Sequence, residues 1–202
     1  SFYGETRFNL FLPHTRQAEN EIFWTLMLSY LNYPSLYTRM VAVNFNGNRY
    51  RAIFQEDATK EFLERNYITE TVILKQNDFD FYLNEFERNI YNKNFSSSFV
   101  IDNNNFLKND ISNFIASEAI SYTSDSQFKL RISNNNFFEE IMEKYSSKAH
   151  GLADINRKYI YIPFKKMFLP LYYDGNIQFP PNKANCTKKI DKKIFKSFSD
   201  DF

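Results

Sequence analysis

The stretch Arg39–Gln55, RMVAVNFNGNRYRAIFQ, limits the fold more tightly than any other part of the chain. Two strand-like runs flank Asn46-Gly47, a pair that tolerates positive φ at both central positions of a type I′ turn. The sequence therefore predicts an antiparallel hairpin here, and the neighbouring elements can be read outward from it.

Upstream, TRFNLFLP alternates well enough for a strand ending at Pro13. AENEIFWTLMLSYLNY then sets Ile22, Leu26 and Tyr30 at helical spacing with Phe23, Met27 and Leu31 beside them, which predicts a buried helix on that stripe. Downstream, EDATKEFLERN reads as a short helix with Asp57 as N-cap and Phe62 and Leu63 inward. TVILK is a further strand, and DFDFYLNEFERNIYNK, FLKNDISNFIASEAIS and NNNFFEEIMEKYSS read as helices. YIYIP and MFLPLYY, joined by FKK, predict a second hairpin before a tail that starts irregular and ends in the basic helical piece KKIDKKIFK. The expected class is α+β, with a sheet-rich part over residues 1–77 and a mainly helical part over 78–202.

Composition narrows function mostly by exclusion. A 43% hydrophobic chain with 23 Phe and 14 Tyr has ample material for a core. Lys and Arg total 25 against 24 acids, so no net field draws the chain to nucleic acid. The single Cys186 has neither a disulfide partner nor the companions of a zinc site. No apolar run approaches a membrane span, and a start without Met suggests a processed or partial chain in which a missing leader carries little meaning.

The candidate chemistry sits in HGLADINRKYIYIPFKKMFLPLYYDGN. A strand leaving and a strand returning bring Asp154 and Asp174 to one end of a hairpin. Two carboxylates with the Asn156 amide form a hard-oxygen set suited to Mg²⁺ carried on phosphates, which needs only one or two protein carboxylates. Gly175 lets the backbone turn sharply or approach a phosphate. Phosphoryl transfer asks for a loop acid, metal ligands and a cation on the phosphates, and acid, Asn, strand pair and Asp follow in that order here. His150 would orient the loop. The bland reading makes both acids exposed strand ends, Asn156 a loop cap, His150 a packing residue and Glu21 a first-turn helix acid. Glu56 and Lys60 in FQEDATK are spaced too far apart for a metal nuclease.

Two segments carry a resemblance. RFNLFLPHTRQAENEIFWTLMLSYLNYPSLYTRMVAVNFNGNRYRAIFQEDATKEFLERN and ADINRKYIYIPFKKMFLPLYYDGN together resemble the spore-coat CotH kinase-like family. The resemblance implies a two-lobed atypical protein-kinase-like fold that binds ATP and Mg²⁺ and phosphorylates Ser or Thr of a protein at a cell or spore surface. It makes Asp154 the catalytic base and Asp174 and Asn156 the metal ligands. Arg7, Glu21, Gln55 and Glu56 become cofactor-binding: Gln55 and Glu56 near the adenine, Glu21 as partner of a phosphate-binding cation, and Arg7 in place of the expected Lys. The chain departs from the family in having YYDGN, with one acid, where a Trp-Asp-x-Asp character is expected, and in lacking the Lys. These departures favour the main alternative, a pseudokinase serving as a structural or assembly module of a coat or envelope; a third reading is a carbohydrate-surface binding protein that uses exposed aromatics instead of the acids.

Overall fold

The computed structural model describes residues 4, 6–76, 99–133, 135–153 and 156–178. Within them the chain is α+β, with two antiparallel sheets and helices on both. The first sheet has the order β1-β3-β2, with β1 at Phe8–Phe11, β2 at Thr38–Phe45 and β3 at Asn48–Glu56. Phe45 pairs with Asn48 across Asn46 and Gly47, whose φ values of 51° and 79° are those the predicted turn requires. The tip of β3 is exposed and its last five residues are buried, so the hairpin projects outward from a base held in the core.

Helix α1, Glu19–Tyr30, lies against β2. It forms where expected but buries a different stripe: Glu21, Trp24, Thr25 and Leu28 face inward, while Leu26 is 61% and Tyr30 87% exposed. The helix is apolar almost all round, so periodicity cannot select one face. Trp24 decides it, with ring centroids 5.5 Å from Tyr145 and 6.2 Å from Tyr172. Burying an aromatic of that size contributes on the order of 4–6 kcal/mol before entropy is counted.

Helix α2, Lys60–Arg65, buries Phe62 and Leu63 as expected, but its N-cap is Thr59. Asp57 instead accepts the Ala58 N–H and pairs with Arg7 at 2.9 Å. The second sheet has the order β5-β4-β6-β7, with β4 at Ile73–Gln76, β5 at Phe99–Ile101, β6 at Lys158–Ile162 and β7 at Met167–Leu171. The β6–β7 hairpin pairs Ile162 with Met167 around a 3-10 turn over Pro163–Lys165. Buried Asn103 ties β4 to the end of β5, accepting from Ile73 N and donating to Thr71 O, each at 2.8 Å.

Helix α3, Asp110–Thr123, opens on a capping box between Asn109 and Ser112. Ala116 and Ala119 from it cover Tyr159, Tyr161 and Phe168 of the second sheet. Leu36, Phe62 and Leu63 join Ile73, Ile160 and Leu171 in a separate cluster. Helix α4, Asn135–Tyr145, packs Phe137, Phe138, Ile141 and Met142 with Trp24 and Leu28 of α1 and with Tyr172. The helix of the first sheet thus shares a core with the chain leaving β7, and that seam positions the site. The helix expected over DFDFYLNEFERNIYNK, Cys186 and the basic tail lie outside the described residues.

Candidate functional site

The chain leaves β7 through Tyr172, Tyr173 and Asp174. Tyr172 is buried, and Asp174 and Asn176 take left-handed φ values of 45° and 49°. Gly175 does not supply the turn, contrary to the sequence expectation. It is needed because a Cβ there would meet Tyr172 Cε2 at 2.3 Å and Met142 Cε at 2.8 Å. The backbone strain falls on Asp174, held in place by the contacts its side chain makes.

Those contacts come from a residue that carries no mark in the sequence pattern. Arg16, at the end of a 3-10 turn over Pro13–Arg16, places Nη1 2.7 Å from Asp174 Oδ1. Its guanidinium lies 4.2 Å from the Phe11 ring centroid and 5.0 Å from that of Tyr173, and Nη2 donates to the Tyr173 hydroxyl at 3.4 Å. Arg16 is buried, and Nη1 makes no aligned hydrogen bond, so its hold on Asp174 is charge against charge. The other carboxylate oxygen, Oδ2, lies 3.8 Å from His150 Nε2. His150 therefore faces Asp174 across the site. The loop before β6 and the loop after β7 meet at the open end of the β6–β7 hairpin.

A chain of buried hydrogen bonds holds those loops together. Ser146 Oγ donates to Gly175 O and accepts from Gly151 N at 3.0 Å. Gly175 N donates to the Tyr172 hydroxyl at 3.0 Å, and that hydroxyl donates to Glu21 Oε2. Glu21 Oε1 accepts from Gln55 Nε2 at 3.1 Å, and Gln55 also reaches Thr38 Oγ1 at 3.2 Å. The series runs from β2 and β3 through α1 to both loops without an exposed member among Gln55, Glu21, Tyr172, Gly175, Ser146 and Gly151. Burial pushes the Glu21 carboxyl above its ordinary pKa, and the Tyr172 and Gln55 hydrogen bonds and the Arg16 charge offset this only in part. Burial, followed by the Glu21 charge, pushes the Tyr172 phenol well above its ordinary value.

The remaining sequence candidates divide among these contacts. Asp154 lies outside the described residues. Asn156 is buried and donates to His150 O at 2.9 Å, which ties down the loop that carries His150. Glu56 is fully buried, accepting from Tyr37 N at 2.5 Å and pairing with Arg65, so its side chain binds the end of β3 to α2. The Gln55 side chain is spent on Glu21. Arg7 pairs with Asp57, with its side chain 54% exposed. The cation whose charge acts on both Glu21 and Asp174 is Arg16.

Among the described residues no three His, Cys, Asp or Glu side chains gather as a metal cage. What the site offers is a carboxylate and a guanidinium in contact, one beside an imidazole and the other in an aromatic sandwich. The two charges largely offset each other, and Asp174, with its side chain 30% exposed against 8% for Arg16, is the more open partner. The chain matches no protein-family model and, at a significant level, no curated protein.

Proposed function

We propose that this chain is a kinase-like protein of the kind its resemblance to the CotH family implies. Its substrates would be MgATP and a Ser or Thr hydroxyl of a surface or coat protein. The observation that carries this reading is the 2.7 Å contact of Arg16 with Asp174 beside buried Glu21. Phosphoryl transfer is mostly positioning and electrostatics, and it asks for a cation on the phosphates, an Asp for their metal and an acid near that cation. Arg16, Asp174 and Glu21 are those three types, and Arg16 replaces Arg7 as the phosphate cation in the proposal. Asp154 keeps the role of base, while Asn156 would support the loop and lend its amide oxygen to the metal. What supports the reading in the chain order is that the loop carrying Asn156 precedes the β6–β7 hairpin and Asp174 follows it.

A pseudokinase is the second reading, and one observation favours it. Both oxygens of Glu21 are taken by the neutral donors Gln55 and Tyr172. The acid that would orient a phosphate cation is thus occupied elsewhere, and the fold would serve in assembly without turnover.

Melting with ATP and Mg²⁺, paired with a labelled-phosphate transfer assay, separates these readings. At a ligand concentration about a hundred times Kd the stabilisation is about 2.7 kcal/mol, or roughly 5–10 °C for a chain of this size. Asp174→Ala and Arg16→Gln are each expected to remove that rise. A rise with label transferred supports the kinase; a rise with none transferred selects the pseudokinase. No rise in the wild-type chain overturns both.

A further inference from the structure

Away from that site, the far end of the β6–β7 hairpin presents a second feature. Phe164, in the 3-10 turn between the strands, is 96% exposed, and Leu130, in the 3-10 turn Phe128–Arg131, is 82% exposed. Among the large hydrophobic side chains described, only Tyr67 and Tyr30 are as open, and each of those carries a polar hydroxyl. A single exposed apolar residue needs no explanation. Two at one place do.

The topology puts them together. Ile132 bridges to Phe168 in parallel, and Ser133 N donates to Phe168 O at 2.8 Å, so the segment before Ile132 runs beside the start of β7. Met167 pairs with Ile162, which leaves 163–166 as the tip beyond that pair. Both turns therefore end at the same edge of the second sheet. Cations surround them: Lys129 and Arg131 flank Leu130, and Lys165 and Lys166 follow Phe164. The facing acids are Glu118, 3.9 Å from Lys166 and hydrogen-bonded to Tyr161, and Asp125, 3.5 Å from Arg131. Among the described residues these four cations face two acids, an excess of two positive charges around two apolar protrusions.

The geometry points to this tip as a membrane-surface contact, with Phe164 and Leu130 entering the interface of an anionic bilayer and Lys129, Lys165 and Lys166 meeting its headgroups. The shape selects a bilayer over a protein partner. A stable protein interface covers about 800 Å² on each side around a packed centre, whereas two protruding side chains ringed by long cations match a soft apolar layer under a negative surface. The inference is independent of the phosphate-transfer reading and stands if that reading fails.

The test uses the full chain with vesicles of phosphatidylcholine alone and with about 30 mol% phosphatidylglycerol, a surface to which each nearby Lys is worth about fivefold in binding. Cosedimentation is expected with the anionic vesicles and to be weak with the neutral ones. Lys165→Gln and Lys166→Gln are each expected to lower it about fivefold, and Phe164→Ser about tenfold or more. The Phe164→Trp variant is expected to shift its emission to the blue on anionic vesicles, over the constant signal of buried Trp24. All three substituted positions are exposed, so the variants should melt with the wild type. Absence of vesicle binding overturns the proposal. So does binding unchanged in the Phe164 and Lys variants, which would move the contact to another part of the chain. A blue shift of the Phe164→Trp variant produced by soluble polyglutamate and not by vesicles would mean an acidic protein partner instead, and would also overturn it.

Discussion

Glu21 and Tyr172 are 151 positions apart, yet the phenol of one donates to the buried carboxylate of the other. Through this bond helix α1 is joined directly to the loop that holds Asp174. Its neighbours Gln55 and Gly175 complete both side chains, leaving little freedom for either to turn away.

Tyr172→Phe removes the hydroxyl and leaves Glu21 Oε2 and Gly175 N without that partner in a closed space. An unsatisfied buried polar group costs about 1–3 kcal/mol. For a chain of this length that is a fall in Tm of roughly 2–4 °C per kcal/mol. Glu21→Ala combined with Tyr172→Phe is expected to cost less than the sum of the two single changes, because each already removes the same bond. Thermal melting of the four proteins gives the coupling directly, and additive losses would show that the bond carries no energy of its own.

The raised Glu21 carboxyl gives stability a definite pH dependence. Its folded pKa lies above its unfolded one, so the folded state holds the proton more tightly. This contribution is fully present below the unfolded value and is lost as pH rises through the folded one. Stability attributable to Glu21 therefore declines as pH is raised from the ordinary carboxylate range upward, and Glu21→Gln should flatten that part of the curve. Denaturant midpoints measured across the acidic and neutral range check it. A wild-type and Glu21→Gln difference independent of pH would contradict the assignment.

Gly151 and Gly175 differ in what an added methyl would meet. At Gly175 it lands on the rigid Tyr172 ring, with Cε2 at 2.3 Å, whereas at Gly151 the nearest atom is the movable end of Met142, with Cε at 2.0 Å. Gly175→Ala is expected to cost about 1–3 kcal/mol by overpacking, and Gly151→Ala less, since Met142 can change rotamer. Equal losses measured by chemical denaturation would mean that the 3.0 Å approach of the Gly151 methyl to Gly175 Cα, which no rotamer change of Met142 relieves, sets the cost at Gly151.

Much of the local structure was legible in the residues alone. Asn46-Gly47 set the first hairpin, because few other pairs accept positive φ twice in succession. The apolar runs around FKK marked the second, and Phe62 and Leu63 marked the inner face of α2. Strand β5 was not legible, since a strand of three residues at Phe99–Ile101 is too short to show a period. The site was legible in part. Asp174 and Glu21 were singled out, and the structure puts the charge of Arg16 on both. Arg16 itself was not, because an arginine after PHT carries no local mark of the ring sandwich it enters.

What the sequence by itself determined is therefore what depends on neighbours a few positions away: turn chemistry, strand alternation and the presence of helices. The tertiary structure alone decided which stripe of α1 is buried, that Gly175 is a packing glycine, and that Arg16 and not Arg7 stands beside the acids. An apolar helix such as α1 offers several equivalent faces, and only the arrival of Tyr145 and Tyr172 at Trp24 breaks the tie. The contact of Arg16 with Tyr173 spans 157 positions, and no short-range pattern encodes a pairing that exists only once both sheets have closed on the shared core.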